Sequence, residues 1–485
     1  MKTYGLLITS LMLSIYGCTH TPGCNEMLVQ IEKDVSAGNL KNARLLADSL
    51  KKTCQGESLM VHKADSLAQI AERIALDFSL SEEQIIAKLN KNIATFSQED
   101  KTSWEKKNWL EYRIIDGEKR YFNRAASNLV LIKNFRLNRS TRDSLIAKDN
   151  KIIFRKNHTG SIIKASDLQA QPVIPVGMTI DYTITVKPDA VPAGEMVRCW
   201  MPWPKESHAR QQNVKLLSTS QQNYQIAPDS AIHRTLYMEA KSEKGVPLVF
   251  KVSYSYQSCG QYFDLKNLKI KPYDKTSSFY KKYTSEQLPQ ICFTEKIKQQ
   301  ADSITGSEVD PAEIVKKIYN WINKNIPWAG ALEYSIMPNI PEYVLQYRKG
   351  DCGMQTLLFM TMLRYKGIPV KWQSGWMMPP DAENLHDWCE VYFEGAGWVP
   401  VDISLGLQYS DNQKTKEFYI SGIDSYRLIV NDGISGSLYP VKNFLRSDPF
   451  DFQRGELEWK GGNLYFDKWN YDMKIEYIGK YNIRN

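Results

Sequence analysis

The chain reads as an α+β protein: helices first, then strands, then a segment in which one long helix is followed by a β-hairpin. Three observations predict this order. From Asn25 to about Ser97 apolar residues recur at helical spacing, with Leu28, Ile31 and Val35 followed by Leu40, Ala43, Leu46, Ala47 and Leu50. Past Gln171-Pro172 the period changes to two, as in the alternating run Met178 to Val186. Between Gly350 and Asp402, one helical face (Met354, Leu357, Leu358, Met362, Tyr365) precedes two strand-like runs that flank Glu394-Gly395-Ala396-Gly397. A length of 485 residues suits two to four domains. The composition shifts divide them as a leader at 1–17, a helical region at 18–165, a β-sandwich at 166–280, and at 281–485 a domain that holds the helix and hairpin with further C-terminal strands.

The apolar stretch from Leu6 to Gly17 is too short to span a bilayer and reads as a signal peptide. Ile15-Tyr16-Gly17-Cys18 resembles a bacterial lipobox. That resemblance implies cleavage before Cys18, lipid attachment to its sulfur, and a membrane-anchored place in the cell envelope.

Helices are expected over roughly 26–37 and 40–52, joined at Gly38-Asn39, and again over 58–75 and 82–95. The first two form an antiparallel hairpin whose open end holds both Cys24 and Cys54, which predicts a disulfide between them. Helical hairpins of this kind also suit docking of a protein partner. Asp116-Gly117 marks a turn, and the polar, basic stretch from Arg136 to Thr159 reads as a helix plus connector. Strands are expected at Met178–Val186, Val197–Pro202, Thr235–Glu239 and Pro247–Tyr256, enough for a sandwich. Beyond Asp402 strand character continues at 418–420, 427–430, 455–459, 463–466 and 473–477, either closing the preceding domain or returning to the sandwich. The aromatic group Trp459, Tyr465, Phe466 and Trp469 reads as a hydrophobic sheet face rather than a sugar platform.

Chemistry concentrates in 350–402. Cys352 opens a helix, where backbone N–H groups and the positive dipole end favour a thiolate. If the hairpin loop is the three residues Glu394 to Ala396, Phe393 faces Gly397 and Trp388 faces Asp402. His386, Trp388 and Asp402 then share one face, and a two-residue loop would separate them. On that face Asp402 lies diagonally from His386 and can hold the tautomer whose other nitrogen meets the Cys352 sulfur.

This segment resembles the catalytic core of the transglutaminase-like superfamily, a papain-like fold that also includes bacterial peptidases and peptide N-glycanases. The resemblance rests on Arg348-Lys349-Gly350-Asp351-Cys352, Gly367-Ile368-Pro369-Val370, His386-Asp387-Trp388-Cys389-Glu390-Val391-Tyr392 and Gly397-Trp398-Val399-Pro400-Val401-Asp402, preceded by a helix from Ile314 to Ile326. It covers roughly residues 310 to 410. It implies Cys352 as nucleophile, His386 as base and acid, Asp402 as orienter, and a β domain ahead of the core. Ile403-Ser404 departs from the Pro-Thr that many members carry after the aspartate.

Such a site attacks a carboxamide or peptide carbonyl, passes through a thioacyl intermediate, and releases it to water or an amine. The oxyanion would fall to the Cys352 backbone N–H and a second donor, the Trp328 indole or Gln355. No spacing of Cys, His or carboxylates suggests a metal or cofactor. A net charge of +8 without long single-sign blocks makes no case for nucleic acid. The substrate expected is a peptide, a protein or cell-wall peptide. The alternative is a catalytically silent binding or scaffold lipoprotein on the same fold. With Cys18 and Cys352 set aside, six cysteines remain, enough for three disulfides in an oxidising compartment.

Overall fold

The first two helices, Cys24–Ala37 and Leu40–Thr53, reverse direction at Gly38, whose φ of 83° is cheap only for glycine. A Cβ there would lie 2.1 Å from the Ile114 carbonyl oxygen, so the position is closed to a side chain as well. The computed structural model describes residues 23–93, 95–137, 149–167 and 170–478. The expected leader and Cys18 lie outside them.

Two compact units result. In the first, residues up to Leu76 with Ile114–Lys119, the hairpin buries Leu28, Ile31, Ala43, Ala47 and Leu50 together with Ala64. Cys24 and Cys54 are bonded, with Cα atoms 6.1 Å apart, as the hairpin geometry requires. Cys199, Cys259, Cys292, Cys352 and Cys389 are free thiols, so the capacity for three bridges is not used among the described residues. Asp116 and Gly117, at φ 49° and 84°, form the expected turn.

The second unit takes Asp77–Arg113 and Arg120 onward. The single helical region expected over 18–165 is thus divided: Glu82–Asn92, Gln98–Lys106, Ala125–Phe135 and Asn150–Ala165 belong with the sheets. Three sheets carry this unit. In the first, Leu248–Tyr262 pairs with Val173–Val186, which pairs with Trp469–Ile478, and Gln211–Thr219 adds to the other edge. In the second, Glu456–Trp459 and Thr235–Lys241 flank Met196–Pro202. The third orders Gly397–Val401, Asn384–Phe393, Val370–Met377 and Arg427–Asn431, all antiparallel.

The C-terminal strands therefore split. Arg427–Asn431 closes the third sheet, while Glu456–Trp459 and Trp469–Ile478 return to the sandwich, which corrects the boundary that placed all of 281–485 in one domain. The physical reason is burial: Leu457, Leu464 and Trp469 join Ile180, Tyr182, Trp200, Phe250 and Tyr254 in one core, which also takes Trp376, Leu428 and Val430 from the third sheet. At roughly 1.5–3 kcal/mol per buried large side chain, sheets that share a core stand or fall together. Phe418–Ile420, expected as strand, is a 3₁₀ turn. Gln211–Thr219, not expected at all, begins with polar residues and pairs irregularly at an edge.

Candidate active site

The helix Cys352–Tyr365 starts on Asp351, whose Oδ1 accepts from Met354 N at 3.1 Å and from Tyr334 Oη at 2.5 Å. Every residue from Cys352 to Arg364 is buried. This end of the helix approaches the strand Asn384–Phe393 closely. A Cβ on Gly353 would sit 2.2 Å from Tyr334 Oη and 2.7 Å from Asp387 Oδ2, so only glycine fits behind the cysteine.

The hairpin register is the three-residue one: Phe393 pairs with Gly397 and Cys389 with Val401. It brings His386 Nε2 to 2.7 Å from Asp402 Oδ2, and the imidazole stacks on Trp388 with centroids 6.0 Å apart. Asp402 is fully buried and pinned from several sides. Its N–H donates to Tyr419 O at 2.9 Å, its carbonyl accepts from Tyr319 Oη at 2.9 Å, and its Oδ1 accepts from Leu405 N at 3.2 Å and Ser404 Oγ at 3.3 Å. Ser404 therefore serves the carboxylate although the pair Ile403-Ser404 departs from the common pattern. Arg427 Nη1 stands 2.8 Å from Asp402 Oδ2, while its Nη2 pairs with Asp424 at 2.5 Å. Burial alone would raise the Asp402 carboxyl; the neighbouring charges of His386 and Arg427 outweigh it and hold the group well below the usual carboxylate range.

Cys352 is placed differently from expectation. It lines the same cavity as His386, yet its Sγ bonds to Asp387 Oδ2 at 3.2 Å, and no hydrogen bond joins it to the His386 ring among the described residues. Burial first, then the charges of Asp387 and Asp351, push the thiol well above its ordinary value. The expected thiolate is thus corrected. A helix N-terminus contributes a partial charge, whereas desolvation and two carboxylates act on the sulfur directly. Asp387 is raised too, by burial and by Asp351. Its Oδ1 accepts from Gln453 Nε2 at 2.7 Å, and the same amide holds the His386 carbonyl at 2.8 Å.

Of the two oxyanion candidates, Gln355 is committed: its Nε2 donates to the Gly350 carbonyl at 3.0 Å. Trp328 is 41 % exposed and lines the cavity. Asp387 and Gln453 escaped sequence reasoning. Parity hid the first, since the residue after His386 is expected on the opposite face of its strand from the ring. Gln453 lies 67 residues from His386, beyond any local pattern.

Residues 298–403 match the family model described as the Transglutaminase-like superfamily, so the chain carries a transglutaminase-like domain over that span. Among individual relatives, the Bacillus subtilis protein YebA, itself uncharacterized, is 24% identical over 162 residues, 30% of this chain. The chain spans about a fifth of that relative, 22% of its length. Among solved structures, a candidate cysteine protease from Cytophaga hutchinsonii is 13% identical with a TM-score of 0.45, covering 64% of this chain and 92% of the other. The periplasmic domain of TgpA from Pseudomonas aeruginosa is 16% identical with a TM-score of 0.23, covering 46% of this chain and 87% of the other.

Proposed function

We propose that this chain is a cysteine-dependent amide hydrolase or acyltransferase acting on peptides. The observation that carries the reading is a single cavity of about 350 Å³ walled by both Cys352 and a His386 ring already fixed by Asp402. For reaction, Sγ turns from Asp387 toward the free ring nitrogen of His386, which takes its proton as sulfur attacks the carbonyl carbon. The C–N bond then breaks, His386 returns the proton to the departing amine, and a thioester remains on Cys352. Water or a second amine, deprotonated by His386, cleaves the thioester and restores the thiol. Asp402 stabilises the imidazolium in both halves, and the Cys352 N–H with the Trp328 indole is suited to the developing oxyanion. Cys18 as lipid anchor, export to the cell envelope, and a protein partner for the helical region are part of the same proposal. Mass analysis of the mature N-terminus tests the anchor.

The resting contact favours one competing reading, a silent scaffold, because a thiol held protonated by a carboxylate is a poor nucleophile. Trapping separates the two. Incubation with peptide carboxamides should leave a hydroxylamine-labile acyl adduct on Cys352 that is absent in Cys352→Ala and strongly slowed in His386→Ala. Absence of both adduct and turnover over a varied peptide set would leave the scaffold.

A further inference from the structure

The cavity wall carries five carboxylates, Glu333, Asp351, Asp387, Asp448 and Asp451, against two cations, Arg124 and Arg454. Two of the five are accounted for. Asp351 caps the Cys352 helix, and Glu333 Oε2 pairs with Arg454 Nη2 at 3.1 Å. The remaining three stand in no ion pair among the described residues. Asp387 takes the Cys352 thiol and Gln453, Asp448 Oδ2 accepts a long 3.3 Å bond from Gln453 N, and the Asp448 and Asp451 side chains hydrogen-bond to each other.

Ser447 adds an independent sign. It is 2 % exposed, it lines this cavity, and its hydroxyl has no hydrogen-bond partner. A buried hydroxyl left unpaired costs roughly 1–3 kcal/mol unless something else supplies its bond. The segment is also rigidly built: Glu456 Oε2 accepts from Ser447 N at 2.8 Å and Oε1 from Asp448 N at 3.1 Å, and Arg446 Nε holds the same carboxylate at 2.6 Å. Ser447 and Asp448 are thus aimed by a buried ion pair rather than left to a mobile loop.

We propose that Asp387, Asp448, Asp451 and Ser447 form a subsite for a primary ammonium carried by the acyl donor close to the carbonyl that Cys352 attacks. The proposal rests on Cys352 as the attacking group. An ammonium offers three donors and no acceptor, which suits a site of three carboxyl groups and a hydroxyl lacking a partner. It also offsets the excess of carboxylates on a wall where two arginines face five acids. Because Asp387 lies 3.2 Å from Sγ, a bound cation competes with the thiol for that carboxylate and frees the sulfur for His386. The resting contact then becomes a guard that the correct substrate removes. Burial and then Asp448 raise the Asp451 carboxyl, in keeping with crowded acids that await a counter-charge.

Calorimetry on the full chain carrying Cys352→Ser tests this without turnover. The probes are short peptide amides with a free N-terminal amine, the same peptides acetylated, and an acetylated pair differing as lysine against norleucine. The amine-bearing member of one pair should bind roughly 10- to 100-fold tighter than its neutral twin, the worth of one or two hydrogen bonds to a charged group. The pair that shows the preference tells whether the amine is terminal or on a side chain. Asp448→Asn should collapse the ratio towards one, and Asp448→Glu should restore part of it. Equal binding of both members of both pairs, or binding of none, overturns the subsite. Turnover of the same peptides by the unaltered chain judges the catalytic reading separately. Binding preference without turnover sinks catalysis and keeps the subsite, and turnover without preference does the reverse.

Discussion

Replacing Asp402 by asparagine removes one charge from a fully buried set and leaves its shape. Asp402 Oδ2 lies 2.7 Å from His386 Nε2 and 2.8 Å from Arg427 Nη1. At an effective dielectric of about 20, unit charges at that separation attract by about 6 kcal/mol before desolvation is subtracted. Breaking a buried pair by removing one partner costs about 3–5 kcal/mol in practice. Arg427 keeps Asp424 at 2.5 Å, and asparagine can still accept from the ring, so the lower end of that range is expected. The sign with pH follows from linkage. The folded carboxyl is held below its unfolded value, so its contribution is present above about pH 4 and lost as pH falls further towards the folded value. Urea unfolding of Asp402→Asn against the unaltered chain should show the deficit at pH 7 and a shrinking deficit below pH 4. Turnover should fall by a factor on the order of 10³–10⁴, the scale seen when a triad carboxylate is neutralised. A variant as stable as the parent at pH 7, or a deficit that widens in acid, would show that the Asp402 charge does not hold this set together.

Two further outcomes are expected. Burial, then Glu333, hold the Asp77 carboxyl up at about 7, so the native state keeps a proton that the unfolded chain releases near pH 4; Asp77→Asn should gain stability relative to the parent as pH rises from 4 to 7, by about 4 kcal/mol at most, read from urea midpoints at pH 5 and 8. Cys54→Ser opens a link across 30 residues and should destabilise the N-terminal helical unit by about 3–4 kcal/mol, visible as an earlier loss of helical ellipticity, with Cys352 labelling unaltered.

Much of this was legible in the chain because it was local. Period and glycine placed the first hairpin, and Cys24 and Cys54 followed from its geometry. Loop parity alone put His386 and Asp402 on one face, since a side-chain period of two leaves only two registers to choose between. What stayed hidden was set by tertiary partners. Arg427, Gln453 and Ser447 reach the site from 41 or more residues beyond His386, and nothing in their own neighbourhoods marks them. Apart from Phe418–Ile420, the C-terminal strands read correctly as strands, but hydrophobic alternation does not say which sheet will bury them. The state of the thiol was misjudged for a similar reason: a helix start is visible in sequence, whereas the carboxylate facing it belongs to another strand.

If Cys352, His386 and Asp402 act as one unit, their losses do not add. Single-turnover acylation rates by an activated peptide amide, in His386→Ala, Asp402→Ala and the double variant, decide this. The double variant should be no slower than His386→Ala alone, since a carboxylate that works only through the ring loses its role with the ring. Losses that multiply, or an unchanged rate in His386→Ala, would show that the three groups do not work together.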